Sequence, residues 1–241
     1  MKIIGHRGAC GYEHENTLSS FKKALELGVD AIELDVYHLE SGELVIMHDS
    51  KVNRTTNGTG FVEDFTFTEL RKLDAGNGQQ VPTLHEVLDL VDARVQVNIE
   101  LKGFGTAKPV AACISERIQN GWTVDHFSVS SFNHVELSTF NKLMPTVKIG
   151  ALIDGIPLDY AAFASELNAY SVNPSAEFLS KDFVADAKAR GLEVHVYTVN
   201  DEDLVRKMLE LDVDAIFTNY PDRSRSIVQQ HSQKKHSSQL S

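Results

Sequence analysis

Disulfide chemistry is nearly absent from this sequence. Two cysteines, Cys10 and Cys113, in 241 residues are too few for the bridge framework that small secreted domains need. The compartment expected from that scarcity is reducing, and we read the protein as cytoplasmic. Long apolar runs are missing too. The amino-terminal stretch MKIIGHRGACGYEHENT is cut by Gly5, His6 and Arg7, unlike a signal peptide. No segment approaches the roughly 18 uninterrupted apolar residues of a spanning helix, so no stable membrane insertion is expected. Positive charge is also short: 23 Lys and Arg stand against 34 Asp and Glu, a net −11. That field repels polyphosphate and excludes nucleic acid as an expected partner. What is present is an ordinary globular composition, 42% hydrophobic and 24% charged, which excludes intrinsic disorder as the main state.

Short β-branched runs alternate with stretches of helical period, the pattern of parallel strands joined by helical crossovers. Strands are predicted at KIIGH, AIELDVYH, VQVNIELK, HFSVSSF, VKIGALI, AYSVNP, EVHVYTVN and DAIFTN. Helices are predicted near 107–119, 135–142, 159–166, 181–190 and 201–210, with Gly191 suited to the left-handed end of the fourth. Eight strands interspersed with helices are the count that closes a (β/α)8 TIM barrel. An open sheet has the same pattern and stays possible at this point. The run ELVIMHD at 43–49 follows the second strand too closely for a parallel crossover, so it is expected to return as a hairpin. Residues 50–81 then break the rhythm with NRTTNGTG and DAGNGQQVP, and read as a small insertion over the barrel mouth. One catalytic domain at 1–225 is therefore predicted, followed by a polar, disordered tail at 226–241.

Strand alternation sends residues i and i+2 to one face. Glu33 and Asp35 thus project together, as do Glu100 and Lys102. Inward carboxylates in a parallel barrel are costly unless neutralised. An all-carboxylate oxygen set suits Mg²⁺ or Ca²⁺ better than zinc. His6 beside Arg7, and His48 beside Asp49, both fall where a strand stops, the usual position of catalytic groups in such barrels. Arg7 and Lys102 supply local cationic charge suited to a phosphate oxygen. The plainer alternative for each carboxylate is a surface charge, and for each histidine a loop hydrogen bond.

These residues resemble the glycerophosphodiester phosphodiesterase family. HRG at 6–8, ENT at 15–17, ELD at 33–35, HD at 48–49 and ELK at 100–102 occur in the family's order. RTTNGTG, VPTLHEVL, SSF, VYTVN and TNYPD follow that order too. The resemblance spans roughly residues 3–222. It implies a TIM barrel of the phospholipase C-like type with an insertion after the second strand. It also implies Glu33, Asp35 and Glu100 as metal ligands for Mg²⁺ or Ca²⁺, with His6 as base and His48 as acid. Arg7 and Lys102 would contact the phosphate. The implied reaction is metal-dependent hydrolysis of small glycerophosphodiesters, such as glycerophosphocholine or glycerophosphoethanolamine, to sn-glycerol 3-phosphate and an alcohol. Two alternatives share the site: hydrolysis of a lysophospholipid, with Phe61, Phe65 and Phe67 lining an acyl groove instead of forming the insertion's own core, and recognition of glycerophosphodiesters without turnover.

Overall fold

Eight parallel strands close on themselves in this chain. The computed structural model describes the backbone of residues 1–239 and side chains through residue 233. In chain order the elements are β1 (Lys2–Gly5), α1 (Leu18–Glu26), β2 (Ala31–His38), β3 (Leu44–Ile46), α2 (Phe67–Leu70), α3 (Leu84–Val91) and β4 (Gln96–Leu101). Then come α4 (Ala107–Gln119), β5 (Phe127–Ser131), α5 (His134–Leu143), β6 (Lys148–Ile153), α6 (Ala162–Glu166) and β7 (Ser171–Pro174). The chain ends with α7 (Lys181–Ala189), β8 (Glu193–Val196), α8 (Glu202–Glu210), β9 (Ala215–Thr218) and α9 (Pro221–Gln239). Each strand from β4 to β9 pairs with the next in parallel, β4 pairs with β2, and β1 bridges β9 to β2. The sheet has no open edge among these eight, and the TIM barrel expected from the strand count is what forms. β3 lies outside the ring, antiparallel to β2 with Val36 opposite Ile46, as the short link requires.

Alternation along each strand divides the core in two. Outward residues such as Ile32, Leu34, Val36, Val97, Ile99 and Val129 pack under the helices in one large apolar cluster. The interior is mixed: Ile4, Ala31, Ala215 and Phe217 form a small apolar cluster on one side, and the other side is lined by small polar residues. Asn98 donates to Ser130 Oγ at 2.8 Å, Ser128 donates back to Asn98 Oδ1 at 3.0 Å, and Ser171 donates to Asn173 Oδ1 at 2.7 Å. Gly150 fits because a Cβ there would lie 2.7 Å from Asn173 Nδ2 and 2.9 Å from Ser171 Oγ. Every buried polar group in this lining needs a partner, and these bonds supply them.

Residues 50–81, between β3 and α3, pack a small core of their own. This core joins Val52, Val62, Leu70 and Val81 to Val45 and Met47, with Phe65 and Phe67 packed against it. Phe65 and Phe67 are thus partly buried in the insertion's own core. Phe61 is exposed, with the Lys51 ammonium 4.7 Å from its ring centre. Helix starts follow ordinary capping chemistry: Thr83 and Glu86 form a reciprocal box on α3, and Asp201 caps α8.

Two expectations need correction. The helix predicted at 159–166 begins only at Ala162, because Tyr160 adopts a left-handed φ of 49°. The tail predicted to be disordered from 226 is instead helical through Gln239, and residues 240–241 lie outside the described residues. Pro221 is pre-organised for the first helical position, and no Gly or Pro follows it to stop the helix. Ile227 is buried, Val228 packs on the main core, and Arg225 donates to Asp30 Oδ2 at 2.9 Å. Among the described residues no helix is long and apolar enough to cross a membrane.

Candidate active site

The carboxyl ends of β1, β2 and β4 meet at one side of the barrel mouth. β2 carries Glu33 and Asp35 inward, and the register sets Asp35 directly beside Glu100 on β4 and Glu33 beside Asn98. One oxygen from each of Glu33, Asp35 and Glu100 lies within 4.8 Å of the others. Residues i and i+2 of one strand share a face, so Glu33 and Asp35 meet Glu100 across the β2–β4 pairing.

His6 is the first residue beyond β1, and its backbone N–H continues the ladder to Thr218 O at 3.0 Å. The turn after it is tight. Arg7 has a φ of 50° and Gly8 one of 88°, where a Cβ would meet Ser20 Oγ at 2.4 Å. Only glycine fits at residue 8. That turn directs the Arg7 N–H to Glu33 Oε2 at 2.7 Å and Arg7 Nη1 to Glu15 Oε1 at 2.7 Å, and sets Arg7 Nε 3.5 Å from Asp35 Oδ2. Lys102 donates to Glu100 Oε1 at 2.8 Å and lies 3.7 Å from Asp35 Oδ1.

Each histidine has an oxygen acceptor at Nδ1. Asn219 Oδ1 lies 2.7 Å from His6 Nδ1 and can only accept, so His6 carries its proton on Nδ1 and leaves Nε2 as a free base. Burial and the Arg7 charge lower the His6 pKa to about 4, which keeps the ring neutral near pH 7. His48 follows β3, and its Nδ1 lies 2.7 Å from Asp49 Oδ1, which fixes the ring in the same sense. Arg54 then ties the sides together, with bidentate bonds to Asp49 and to Glu15 at 2.6–2.9 Å. Against the cost of burial, Arg54 and Arg7 hold Glu15 down to about 2. His6, Arg7, Glu33, His48 and Glu100 share the walls of one cavity of about 200 Å³ with Phe132, Leu152 and Tyr197.

The electrostatics leave room for a cation. Burial, then Asp35 and Glu100, push the Glu33 carboxyl well above its ordinary range, and burial with Asp35 raises Glu100 to about 7. Five carboxylates, Glu15, Glu33, Asp35, Asp49 and Glu100, face three cations, Arg7, Arg54 and Lys102. Fully ionised, the network lacks two positive charges. Asp35 Oδ1 is buried without a hydrogen-bond partner. An orphaned carboxylate oxygen beside two strained carboxyls fits a divalent cation held by oxygen donors.

The structure thus brings together all seven residues singled out in the sequence: His6, Arg7, Glu33, Asp35, His48, Glu100 and Lys102. Sequence reasoning assigned no role to Asn219, Glu15, Asn16 or Arg54. Asn16 donates to Asp35 Oδ2 at 2.8 Å, and Asn219 lies 213 residues from the histidine it orients. The motifs ENT, RTTNGTG and TNYPD contained them, but nothing local says which side chain each would reach.

The model of the glycerophosphoryl diester phosphodiesterase family matches residues 6–223. A glycerophosphodiester phosphodiesterase of Caldanaerobacter subterraneus is 37% identical over 235 residues, covering 94% of this chain and 97% of the relative. One from Bacillus altitudinis is 37% identical over 238 residues, with the same coverage. The structure of an Oleispira antarctica phosphodiesterase in complex with its product sn-glycerol 3-phosphate superposes with a TM-score of 0.88 at 31% identity. It covers 95% of this chain and 97% of that one.

Proposed function

The chain belongs to the glycerophosphoryl diester phosphodiesterase family, and on that premise we propose that it hydrolyses small glycerophosphodiesters to sn-glycerol 3-phosphate and an alcohol. It is a phosphoric diester hydrolase by membership. The observation that carries the specific reading is the convergence, at one side of the barrel mouth, of three carboxylates, two cations paired to them and two oriented imidazoles.

A phosphodiester resists attack because its anionic oxygens repel nucleophiles and its alkoxide is a poor leaving group. Glu33, Asp35 and Glu100 would hold Mg²⁺ or Ca²⁺, and the bound dication would supply positive charge against the phosphoryl oxygens. Arg7 and Lys102 add donors for the same oxygens and are fixed by Glu15, Asp35 and Glu100 before substrate arrives. His6, neutral with Nε2 bare, takes the proton of the attacking hydroxyl, which belongs to the neighbouring glycerol carbon or to water. His48, in its doubly protonated form with the Nδ1–H held by Asp49, gives its Nε2 proton to the departing oxygen and is left neutral. The assignment of base and acid follows the two environments: the buried, charge-disfavouring one for His6, and the half-exposed, carboxylate-paired one for His48. Cys10 and Cys113 are both free thiols, which supports a reducing, cytoplasmic setting.

The test is direct. Pure protein incubated with glycerophosphocholine and Mg²⁺ or Ca²⁺ releases sn-glycerol 3-phosphate in an enzyme-coupled assay. No product across several head groups and both metals refutes the reading in favour of a binding protein.

A further inference from the structure

The mouth of the barrel has two unlike halves. The ends of β2 and β4, with the loops after β1 and β3, hold the charged network. The segments that follow β4, β5, β6 and β7, four neighbours in the ring, carry Phe104, Phe132, Val135 in the first turn of α5, Ile156, Leu158 and Phe178. All six are exposed, and they are six of the nine large apolar side chains exposed among the described residues. Single exposed apolar residues are ordinary, but a concentration on one rim marks an interaction surface.

The exposure is built into the backbone. Phe104 stands on a Gly103-Phe104-Gly105 tip whose glycines have φ of 66° and 74°. Glu136 pins that loop by accepting from the N–H groups of Gly105 and Ala107 at 2.9 Å each. Pro157 stiffens the neighbouring tip between Ile156 and Leu158. Side chains lining a groove for a single acyl chain would be half covered by the opposite wall. Phe104 at 88% and Leu158 at 105% relative exposure have no such wall. The surface they fit is broad and apolar beneath a polar skin.

We propose that this apolar arc docks the barrel mouth reversibly onto a lipid surface of neutral, zwitterionic head groups. Continuity with the substrate cavity favours a lipid occupant, since Phe132 belongs both to the arc and to the cavity wall. On the reading of the site given above, which this proposal extends, the cavity takes the polar part of a phospholipid. Charge selects the kind of surface. Asp154, Asp159 and Glu177 lie exposed on the same loops, with Lys108 exposed in the first turn of α4, and the chain carries a net −11. An anionic surface is repelled.

The full chain is sedimented with phosphatidylcholine vesicles, with the same vesicles doped with phosphatidylglycerol, and without lipid. The comparison variant is Phe104→Ser combined with Leu158→Ser, two exposed positions whose change leaves the fold and glycerophosphocholine turnover intact. The wild type sediments with phosphatidylcholine, more weakly when phosphatidylglycerol is added, and the double variant loses this partition by about tenfold or more. Three results overturn the proposal: no wild-type partition onto phosphatidylcholine, equal partition of the variant, or binding that requires the anionic lipid. A wild-type dimer in size-exclusion chromatography that the variant dissolves also overturns it, assigning the arc to a second copy of the chain. Vesicle binding without glycerol 3-phosphate release refutes the catalytic reading alone, so the two failures are distinct.

Discussion

Replacing Glu100 with Gln should stabilise the metal-free protein at alkaline pH, the reverse of what removing a buried ion-pair partner usually does. Burial and the adjacent Asp35 raise the Glu100 carboxyl from 4.5 to about 7. A rise of that size corresponds to about 3 kcal/mol of differential interaction. The unfolded chain gives up this proton first, so the contribution to stability is intact below about pH 4.5 and is lost as pH rises through about 7. Glutamine has no such proton to lose, and its Oε1 still accepts from Lys102. In excess chelator at pH 8 the variant should therefore unfold at a higher temperature, by up to about 5–10 °C for a chain of this length. At pH 4.5 the two should coincide. Adding Mg²⁺ or Ca²⁺ at a hundredfold excess over its dissociation constant should raise wild-type stability by about 2.7 kcal/mol, with little response from the variant. Differential scanning calorimetry at both pH values, with and without metal, measures all of this. A variant less stable than wild type at pH 8 in chelator would show that Lys102 already satisfies Glu100. The argument for a missing dication would then collapse.

His6→Ala and His48→Ala should each lower turnover of glycerophosphocholine by roughly a hundredfold or more with the fold retained, as removal of general base or acid does; near-normal rates in either variant remove that residue from the chemistry. Activity should vanish in excess chelator and return with Mg²⁺ or Ca²⁺, and full activity in chelator would give the three carboxylates another purpose. Arg54→Ala should cut kcat/KM by about tenfold, because Asp49 and Glu15 lose the clamp that aims His48 and Arg7. Its melting temperature should move little, since the Arg54 side chain is 48% exposed; a large loss of stability with unchanged kinetics would make the clamp purely structural.

The barrel was legible because its signals are local and repeated. Strand runs separated by helix-length spacers force parallel crossovers, and the three residues SGE after HLE forbid one, so β3 had to turn back. Where a single backbone angle or a weak tertiary contact decides, the pattern is silent. The late start of α6 turns on the left-handed Tyr160, and the helicity of α9 on a start at Pro221 and docking by Ile227 and Arg225. A polar sequence with no helix breaker is consistent with either a coil or a helix, and contact with the barrel is what selects between them.

The site divides along the same line. Glu33, Asp35, Glu100 and Lys102 sit on strands, where a period of two fixes which side chains face inward, so their convergence follows from the sequence once the strands pair in register. Asn219, Glu15 and Arg54 sit on loops, and their partners are set by how three separate loops cross the mouth. Yet these three decide the chemistry of the residues the sequence did reveal: Asn219 selects the tautomer that bares His6 Nε2, while Arg54 and Glu15 bind the His48 side of the mouth to the Arg7 side. A histidine beside a strand end therefore announces that acid–base chemistry is available, and it is the distant loop acceptor that determines which nitrogen performs it.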